Sequence, residues 1–195
     1  MASYAPNRWG PVVIVIDFHH ARGPEIELSI ADEGTDPAIE NDWSLLPFMA
    51  LSDGAHTSTE EFSYFTLHRK ETPTEPATSL FGIACSRQID SNLLINRPPE
   101  VTRSTVQKAV VVVTDNPQSV GQLREKLSMV TSAWFAQRDF SDVVILKKFR
   151  ESLVANLKNG EEQRDQNLGE LGSSCDRCGS STDCSVRTIS ARDDS

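Results

Sequence analysis

The sequence has no apolar run long enough to cross a membrane. Its longest obvious apolar runs are the pentads at residues 12–16 and 109–113, whereas a spanning helix needs about 18 or more residues. The first pentad follows a single arginine and is too short for the core of a secretory signal. We therefore expect a cytoplasmic protein without a transmembrane segment.

Cysteine is scarce, and its distribution does not predict a disulfide framework. Cys85 stands alone in an apolar segment, while Cys175, Cys178 and Cys184 lie together in a polar one. The three clustered cysteines resemble part of a zinc site, but tetrahedral zinc needs a fourth ligand. Incidental thiols are the favoured interpretation. Cys85 lacks the helix N-terminus or basic partner that activates a thiolate, which favours a packed core residue over a nucleophile.

Positive charge is in short supply, with 19 Lys and Arg against 28 Asp and Glu, a net charge of −9 and a pI near 4.9. This balance argues against a dedicated nucleic-acid binder, which needs clustered basic side chains to neutralise phosphates. A small basic group at Lys147, Lys148 and Arg150 is interpreted as a solvated face. Contact with an acidic partner or an anionic membrane is the alternative.

Several catalytic motifs are also missing from the sequence. It contains no G-x-S-x-G, H-E-x-x-H, G-x-x-x-x-G-K-[ST] or G-x-G-x-x-G pattern. The hydrolase, metalloprotease, P-loop and dinucleotide-binding interpretations therefore lack the residues that their chemistry requires. We predict that the chain is not an enzyme and uses no cofactor.

What is present is a succession of strand patterns. The first, at residues 11–20, is apolar on both faces, which is typical of a central strand. The second, "IELSI" (26–30), alternates so that Ile26, Leu28 and Ile30 share one face. Gly23 and Pro24 between these two patterns indicate a hairpin. The five predicted strands occupy residues 11–20, 26–30, 61–69, 79–89 and 109–114.

Helical patterns follow the last strand. Val120, Leu123, Leu127, Val130 and Trp134 recur at helical spacing. A second apolar stripe runs from Val143 to Leu157, and we expect Asp139 to cap that helix. The short segment "WSLLPFMAL" (43–51) should be anchored in the core, and its Trp43 and Phe48, like Trp134, are interpreted as core residues rather than interface anchors.

These patterns predict an α+β fold with a five-stranded, mainly antiparallel sheet, because no βαβ alternation is visible. Two consecutive helices close the domain. We expect a loose N-terminus at residues 1–10, one domain at 11–159 and a disordered polar tail or linker at 160–195, where large apolar residues are few.

Histidine and aspartate recur in "DFHH" (17–20) and "SDGAH" (52–56), and both residue types are metal ligands. His19 and His20 are neighbours on a predicted strand, so their side chains point to opposite faces unless the strand ends between them. A metal-dependent hydrolase is therefore disfavoured, and no metal site is predicted.

Four separated strings carry a family resemblance: "VIDFHHARGPEIE" (15–27), "WSLLPFMALSDGAH" (43–56), "SLFGIACSRQI" (79–89) and "VTRSTVQKAVVVV" (101–113). Together they resemble the start of the Avl-type late secretory pathway proteins of the DENN superfamily, over roughly residues 11–158. The resemblance implies a longin-like (upstream DENN) lobe, with a five-stranded antiparallel sheet flanked by helices. Positions of unassigned role within the strings are His19, His20, Asp53, Gly54, His56 and Arg87.

The resemblance also implies a function in transport from the Golgi to the plasma membrane, and binding of a Rab-type GTPase. DENN modules promote guanine-nucleotide exchange, which needs differential binding and no covalent chemistry. This chain matches only the first lobe, so we expect exchange to require a second DENN lobe. An adaptor that recruits trafficking proteins without affecting nucleotide is the alternative. Peripheral association with Golgi, secretory-vesicle or endosomal membranes is left open.

Overall fold

The computed structural model describes residues 9–51, 59–97 and 104–157. Within these ranges five strands form one sheet in the order β2-β1-β5-β4-β3, and every neighbouring pair is antiparallel. The strands are β1 (Val12–His19), β2 (Gly23–Ile30), β3 (Glu60–Arg69), β4 (Thr78–Asp90) and β5 (Thr105–Thr114). The predicted α+β fold with a five-stranded antiparallel sheet is confirmed.

Helices cover both faces of this sheet. In the described ranges they are α1 (Pro37–Glu40), α2 (Leu46–Ala50), α3 (Pro117–Ala136) and α4 (144–157), with a short 3-10 helix at Ser91–Leu93. Neither α3 nor any other described helix is long and apolar enough to cross a bilayer. The two predicted consecutive helices after β5 are confirmed.

The predicted cap of the second helix is wrong. Asp139 accepts a hydrogen bond from the Ser141 amide at 3.0 Å, in the turn that precedes the helix. The helix begins at residue 144, where the Asp142 carboxylate accepts a bond from the Val144 amide at 3.0 Å. Two aspartates three residues apart both offer a suitable oxygen, and the apolar stripe does not distinguish between them.

Two hydrophobic clusters lie on opposite faces of the sheet. β1 and β5 contribute to both, since their successive side chains point to alternate sides. The first cluster lies under α3 and α4 and includes Val13, Val15, Ile83, Cys85, Val110, Val112, Leu123, Leu127, Trp134 and Leu146. The second lies under α1 and α2 and includes Val12, Ile14, Ile16, Trp43, Leu46, Leu67, Leu80, Val111 and Val113. The predicted anchoring of segment 43–51 and the buried position of Cys85 are confirmed.

The hairpin of β1 and β2 contains an irregularity that the alternation did not predict. The register pairs Val15 with Leu28 but Ile16 with Ile26, so Glu27 has no opposite residue. Leu28 and Ile30 pack against the cluster under α3 and α4, whereas Ile26 is 36% exposed. The predicted common face of these three residues is therefore wrong, because an extra residue in one strand reverses the alternation.

The described residues from Trp9 to Ala155 belong to one compact unit. Most of the predicted N-terminal stretch 1–10 and the predicted tail 160–195, with its three cysteines, lie outside the described residues, so these boundaries stay predictions. Trp9 is described: its amide donates to an Asp115 carboxylate oxygen at 3.2 Å, and its ring meets Trp43 edge-on at 5.9 Å.

Candidate interaction surface

The short helix α1 is held by reciprocal hydrogen bonds at its start. Asp36 precedes it, and its carboxylate accepts bonds from the Ala38 and Ile39 amides. The Glu40 side chain accepts in turn from the Asp36 amide at 3.1 Å. Pro37 occupies the first helical turn, where no amide hydrogen is needed. These contacts stabilise a single turn that helix propensity alone would not maintain.

Two further hydrogen bonds attach this region to the sheet. The Trp43 indole nitrogen donates to the His68 carbonyl at 2.9 Å, and the Lys70 amide donates to the Asn41 side chain at 2.9 Å. Both acceptor and donor lie at the end of β3 or just after it. The α1–α2 segment is therefore fixed to the sheet by buried and polar contacts, and its outer side chains have a rigid support.

Three large apolar side chains of this segment face solvent. Ile39 is 77% exposed, Leu45 is 68% exposed and Phe48 is 59% exposed. Leu45 and Phe48 are three residues apart and so lie on one side of the helical turn. Apolar side chains exposed close together are candidates for contact with a partner. We call Ile39, Leu45 and Phe48 the exposed apolar triad.

The interpretation of Phe48 as a core residue is therefore wrong. α2 has only five residues, and Leu46, Pro47 and Ala50 are the ones that it buries. A helix presents only part of its circumference to the sheet, so Phe48 points away once these three face inward. Trp43 and Trp134, the other two aromatic residues of that prediction, are buried as expected.

A row of charged side chains crosses the opposite face of the sheet. Glu60, Arg87, Lys108 and Asp17 are direct neighbours in β3, β4, β5 and β1. Arg87 contacts Glu60 at 2.6 Å, and the Lys108 amine contacts Asp17 at 2.9 Å and Glu27 at 2.6 Å. Each cation is thus paired with a carboxylate, as partly buried charges require. We call these five side chains the charged row.

Glu60 is the most connected member of the charged row. Its Oε1 atom accepts bonds from Arg87 and Ser128 at 2.6 Å each and from the Cys85 thiol at 3.4 Å. Burial opposes ionisation of this carboxyl, but the bonds from Ser128 and Arg87 outweigh it and lower its pKa. Ser128 belongs to α3, so Glu60 ties the edge strand β3 to the helix above it.

Burial and the neighbouring Glu60 carboxylate raise the pKa of the Cys85 thiol to about 12. A thiol with such a pKa is protonated near neutrality and is a poor nucleophile. The side chain is fully buried between the sheet and α3. The geometry therefore suits packing and not covalent chemistry at this position.

The structure separates the residues singled out within the family strings. His19 ends β1, its ring stacks on His20 at 4.9 Å, and its Nδ1 atom accepts bonds from the Ala21 and Arg22 amides. Arg87 belongs to the charged row. Asp53, Gly54 and His56 lie outside the described residues. Across the described ranges, no three His, Cys, Asp or Glu side chains come together in a way that could hold a metal ion.

Comparison with known proteins identifies the family. The family described as "Transport protein Avl9" matches residues 11–178, which is most of the chain. The chain belongs to the Avl9 family. The match includes all five strands, both long helices and the exposed apolar triad.

Two Avl9 relatives from yeasts show the same similarity. The chain is 45% identical over 163 residues to "Late secretory pathway protein AVL9" of Saccharomyces cerevisiae, covering 75% of this chain and 20% of that protein. It is 47% identical over 134 residues to "Late secretory pathway protein avl9" of Schizosaccharomyces pombe, covering 69% and 27%. The chain thus spans about a fifth to a quarter of these relatives. No solved structure matches it.

Reasoning from the sequence did not identify Ile39 or Leu45 as members of an interaction surface. Both lie in or beside helices of four and five residues, which are too short to show an apolar period. The available signal was the surrounding composition, because a polar, acidic and turn-rich connection leads directly into an apolar segment. That contrast predicts a surface location as readily as a buried one.

Proposed function

We propose that this chain is a binding lobe of a late secretory pathway transport protein and that it binds a Rab-type GTPase. Membership of the Avl9 family supports the pathway, and the longin-like arrangement of sheet and helices agrees with a DENN-type lobe. The observation that carries the binding role is the exposed apolar triad on a rigidly anchored segment. Burial of such apolar side chains against a protein partner removes them from water, which favours association.

The lobe acts by binding and not by covalent catalysis. It contributes to guanine-nucleotide exchange together with a second DENN lobe, since an exchange factor needs contacts that favour the nucleotide-free form of the GTPase. The chain covers only 20% and 27% of the two yeast relatives, which leaves ample length there for such a lobe. On this proposal the protein works on the cytoplasmic side of Golgi, secretory-vesicle or endosomal membranes, as a peripheral component.

Nucleotide release and pull-down on one set of samples test this proposal. Labelled GDP release is followed from a panel of secretory and endosomal Rab proteins while the concentration of this chain is raised. We expect one or a few members to bind without faster release. Accelerated release would show that the lobe carries exchange by itself, and absence of binding to every member would refute the proposal.

A surface variant makes the test specific. Phe48→Ser removes a 59% exposed side chain of the triad, and Met129→Ser removes a 65% exposed one from α3 on the other face. Neither change opens a core cavity, so both variants should fold normally. We expect GTPase binding to be weakened by the first variant and unchanged by the second.

The alternative is an adaptor that recruits trafficking proteins without affecting nucleotide. The exposed apolar triad supports an adaptor as well, because a helix of a trafficking protein can dock onto apolar side chains without a GTPase. The two functions differ in one measurement. An adaptor would bind a trafficking partner through the triad while leaving both GTPase binding and GDP release at background.

A further inference from the structure

The segment that carries the exposed apolar triad contains charges of one sign, and its cationic neighbours come from elsewhere in the chain, with Lys70 beside Asn41 and Arg150 beside Asp32. From residue 23 to residue 68 the sequence contains ten Asp and Glu residues and no Lys or Arg. Five of these carboxylates fall in the segment that leads into and forms α1 and α2; they are Asp32, Glu33, Asp36, Glu40 and Asp42. Four of them are exposed, and Asp36 is half-buried at the start of α1. The apolar triad is therefore carried by a segment of uniformly negative charge.

Part of this negative charge is already used inside the lobe. Asp36 and Glu40 hydrogen-bond the start of α1, and Asp32 contacts Arg150 at 2.6 Å while remaining 72% exposed. Glu33 and Asp42 are exposed and have no structural role of this kind among the described contacts. Negative charge that does not serve the fold is available to orient a partner.

From this combination we propose that the α1–α2 surface binds a polypeptide segment of another protein whose apolar side chains are flanked by Lys and Arg. The partner's apolar groups would contact Ile39, Leu45 and Phe48, and its cations would face the carboxylates. Charge complementarity selects this occupant, because an anionic lipid surface or an acidic segment would meet like charge. The inference rests on the proposed binding role of this surface but not on the partner being a GTPase.

The test uses a defined probe and the full chain. The probe is a labelled helical peptide of about 18 residues, composed of Leu on one face and Lys on the other, and its counterpart carries Glu in place of Lys. Fluorescence anisotropy gives the Kd of each. We expect the Leu/Lys peptide to bind and the Leu/Glu peptide not to bind.

Matched variants separate a docking surface from general attraction to an acidic protein. Phe48→Ser should weaken the Leu/Lys peptide by about tenfold, as loss of an interface anchor does. Met129→Ser, on the opposite face, should change its Kd by less than about twofold.

The contribution of the acidic side chains to peptide binding is tested in the same way. The double variant Glu33→Gln/Asp42→Asn should weaken binding by about threefold to fivefold at low salt, and the loss should shrink as salt screens the charges. Asn is chosen because Asp42 has a φ of 55° and Asn tolerates the left-handed region. Glu125→Gln/Glu151→Gln makes the same change in net charge on α3 and α4 and should leave the Kd unaltered.

Three outcomes would overturn the inference. If both double variants lost the same affinity for the Leu/Lys peptide, the peptide would be attracted to the net charge of the chain and not to the α1–α2 surface. Binding of phosphatidylserine vesicles that depends on Phe48 would make the occupant a membrane. A dimer in sedimentation that Phe48→Ser dissociates would make it a second copy of this chain.

The inference and the proposed function fail separately. If a Rab protein binds through the triad but the Glu33→Gln/Asp42→Asn variant binds it equally well, the inference is wrong and the proposed function stands. If the peptide results follow expectation but no Rab protein binds, the proposed function is wrong and the inference stands.

Discussion

The two faces of the sheet are covered by helices of very different size. On one face α1 and α2 have four and five residues, and on the other α3 alone has twenty. The long helices bury Leu127, Trp134 and Leu146 completely and expose Met129, whereas the short ones bury Leu46 but leave Ile39 and Phe48 in solvent. The net charge of −9 is divided as unevenly. Segment 31–51 has five acidic and no basic residues, while segment 117–157 has six basic and four acidic ones.

This difference separates the side chains that support the fold from those that can bind a partner. Complete burial of large apolar groups supplies most of the stability of a domain. An exposed apolar group adds little stability, and a group of them can contact a partner. Both faces of the sheet thus support the fold through their buried clusters, and the outer side of α1 and α2 also carries the exposed apolar triad, which is available for binding. Substitutions in the two sets of side chains test this difference.

The largest effect is expected at the centre of α3. Leu127→Ala removes a side chain that is fully buried between the helix and the sheet. The lost burial and the remaining cavity should lower the free energy of unfolding by about 2–5 kcal/mol. Urea denaturation followed by circular dichroism measures it. A loss below about 1 kcal/mol would contradict the supporting role of this face.

A smaller effect is expected in the sheet, on the face that α1 and α2 cover. Gly82 of β4 pairs with Phe65 of β3, and a methyl group at position 82 would overlap the Phe65 ring. Gly82→Ala should therefore cost about 1–3 kcal/mol through overpacking. A double-mutant cycle with Phe65→Leu checks the cause. Additive losses would show that the ring is not responsible.

The charged row makes part of the stability dependent on pH. The pKa of Glu60 is lower in the folded chain than its ordinary value of 4.5, so its contribution is present above that value. The contribution is lost as the pH falls through the lower folded value. Glu60→Gln should lower the free energy of unfolding by about 1 kcal/mol near neutrality. The difference in this free energy between variant and wild type should disappear in acid. A difference that is constant from about pH 7 to about pH 3 would exclude this linkage.

The smallest effect is expected from the same substitution on the other face. Leu45→Ala removes a side chain that is 68% exposed, so the free energy of unfolding should change by less than about 0.5 kcal/mol. Urea denaturation followed by circular dichroism measures this change, as for Leu127→Ala. A loss comparable to that of Leu127→Ala would mean that Leu45 is part of the core, and the proposed difference between the two sets of side chains would fail.

Most of the fold could be predicted because its signals are long or strongly patterned. The apolar run of β1 and the helical spacing of α3 extend over enough residues to be distinguished from alternatives. The structure adds the start of α3, where Asn116 caps the helix and Pro117 occupies its first turn. Elements of four or five residues carry no such period, so the helical form of α1 and α2 was not predicted.

The candidate surface and the charged row were harder to predict because both depend on pairing between distant residues. Arg87 was noted only as a member of a family string, and nothing near it in sequence identifies Glu60 as its partner. The exposure of Phe48 depends on which side of α2 meets the sheet. Such relations arise from strand order and register, which no local pattern contains.

The charged row also bears on how the chain finds one arrangement of its strands. Residues 109–113 of β5 are buried on both faces and nearly uniform in sequence. A shift of two residues against β1 or β4 would keep each valine on the same face, so hydrophobic patterning penalises it weakly. A shift against β1 would also move Lys108 away from Asp17, one of its two carboxylate partners. The ion pair of Lys108 with Asp17 therefore favours the observed register of β5 against β1 over a shifted one.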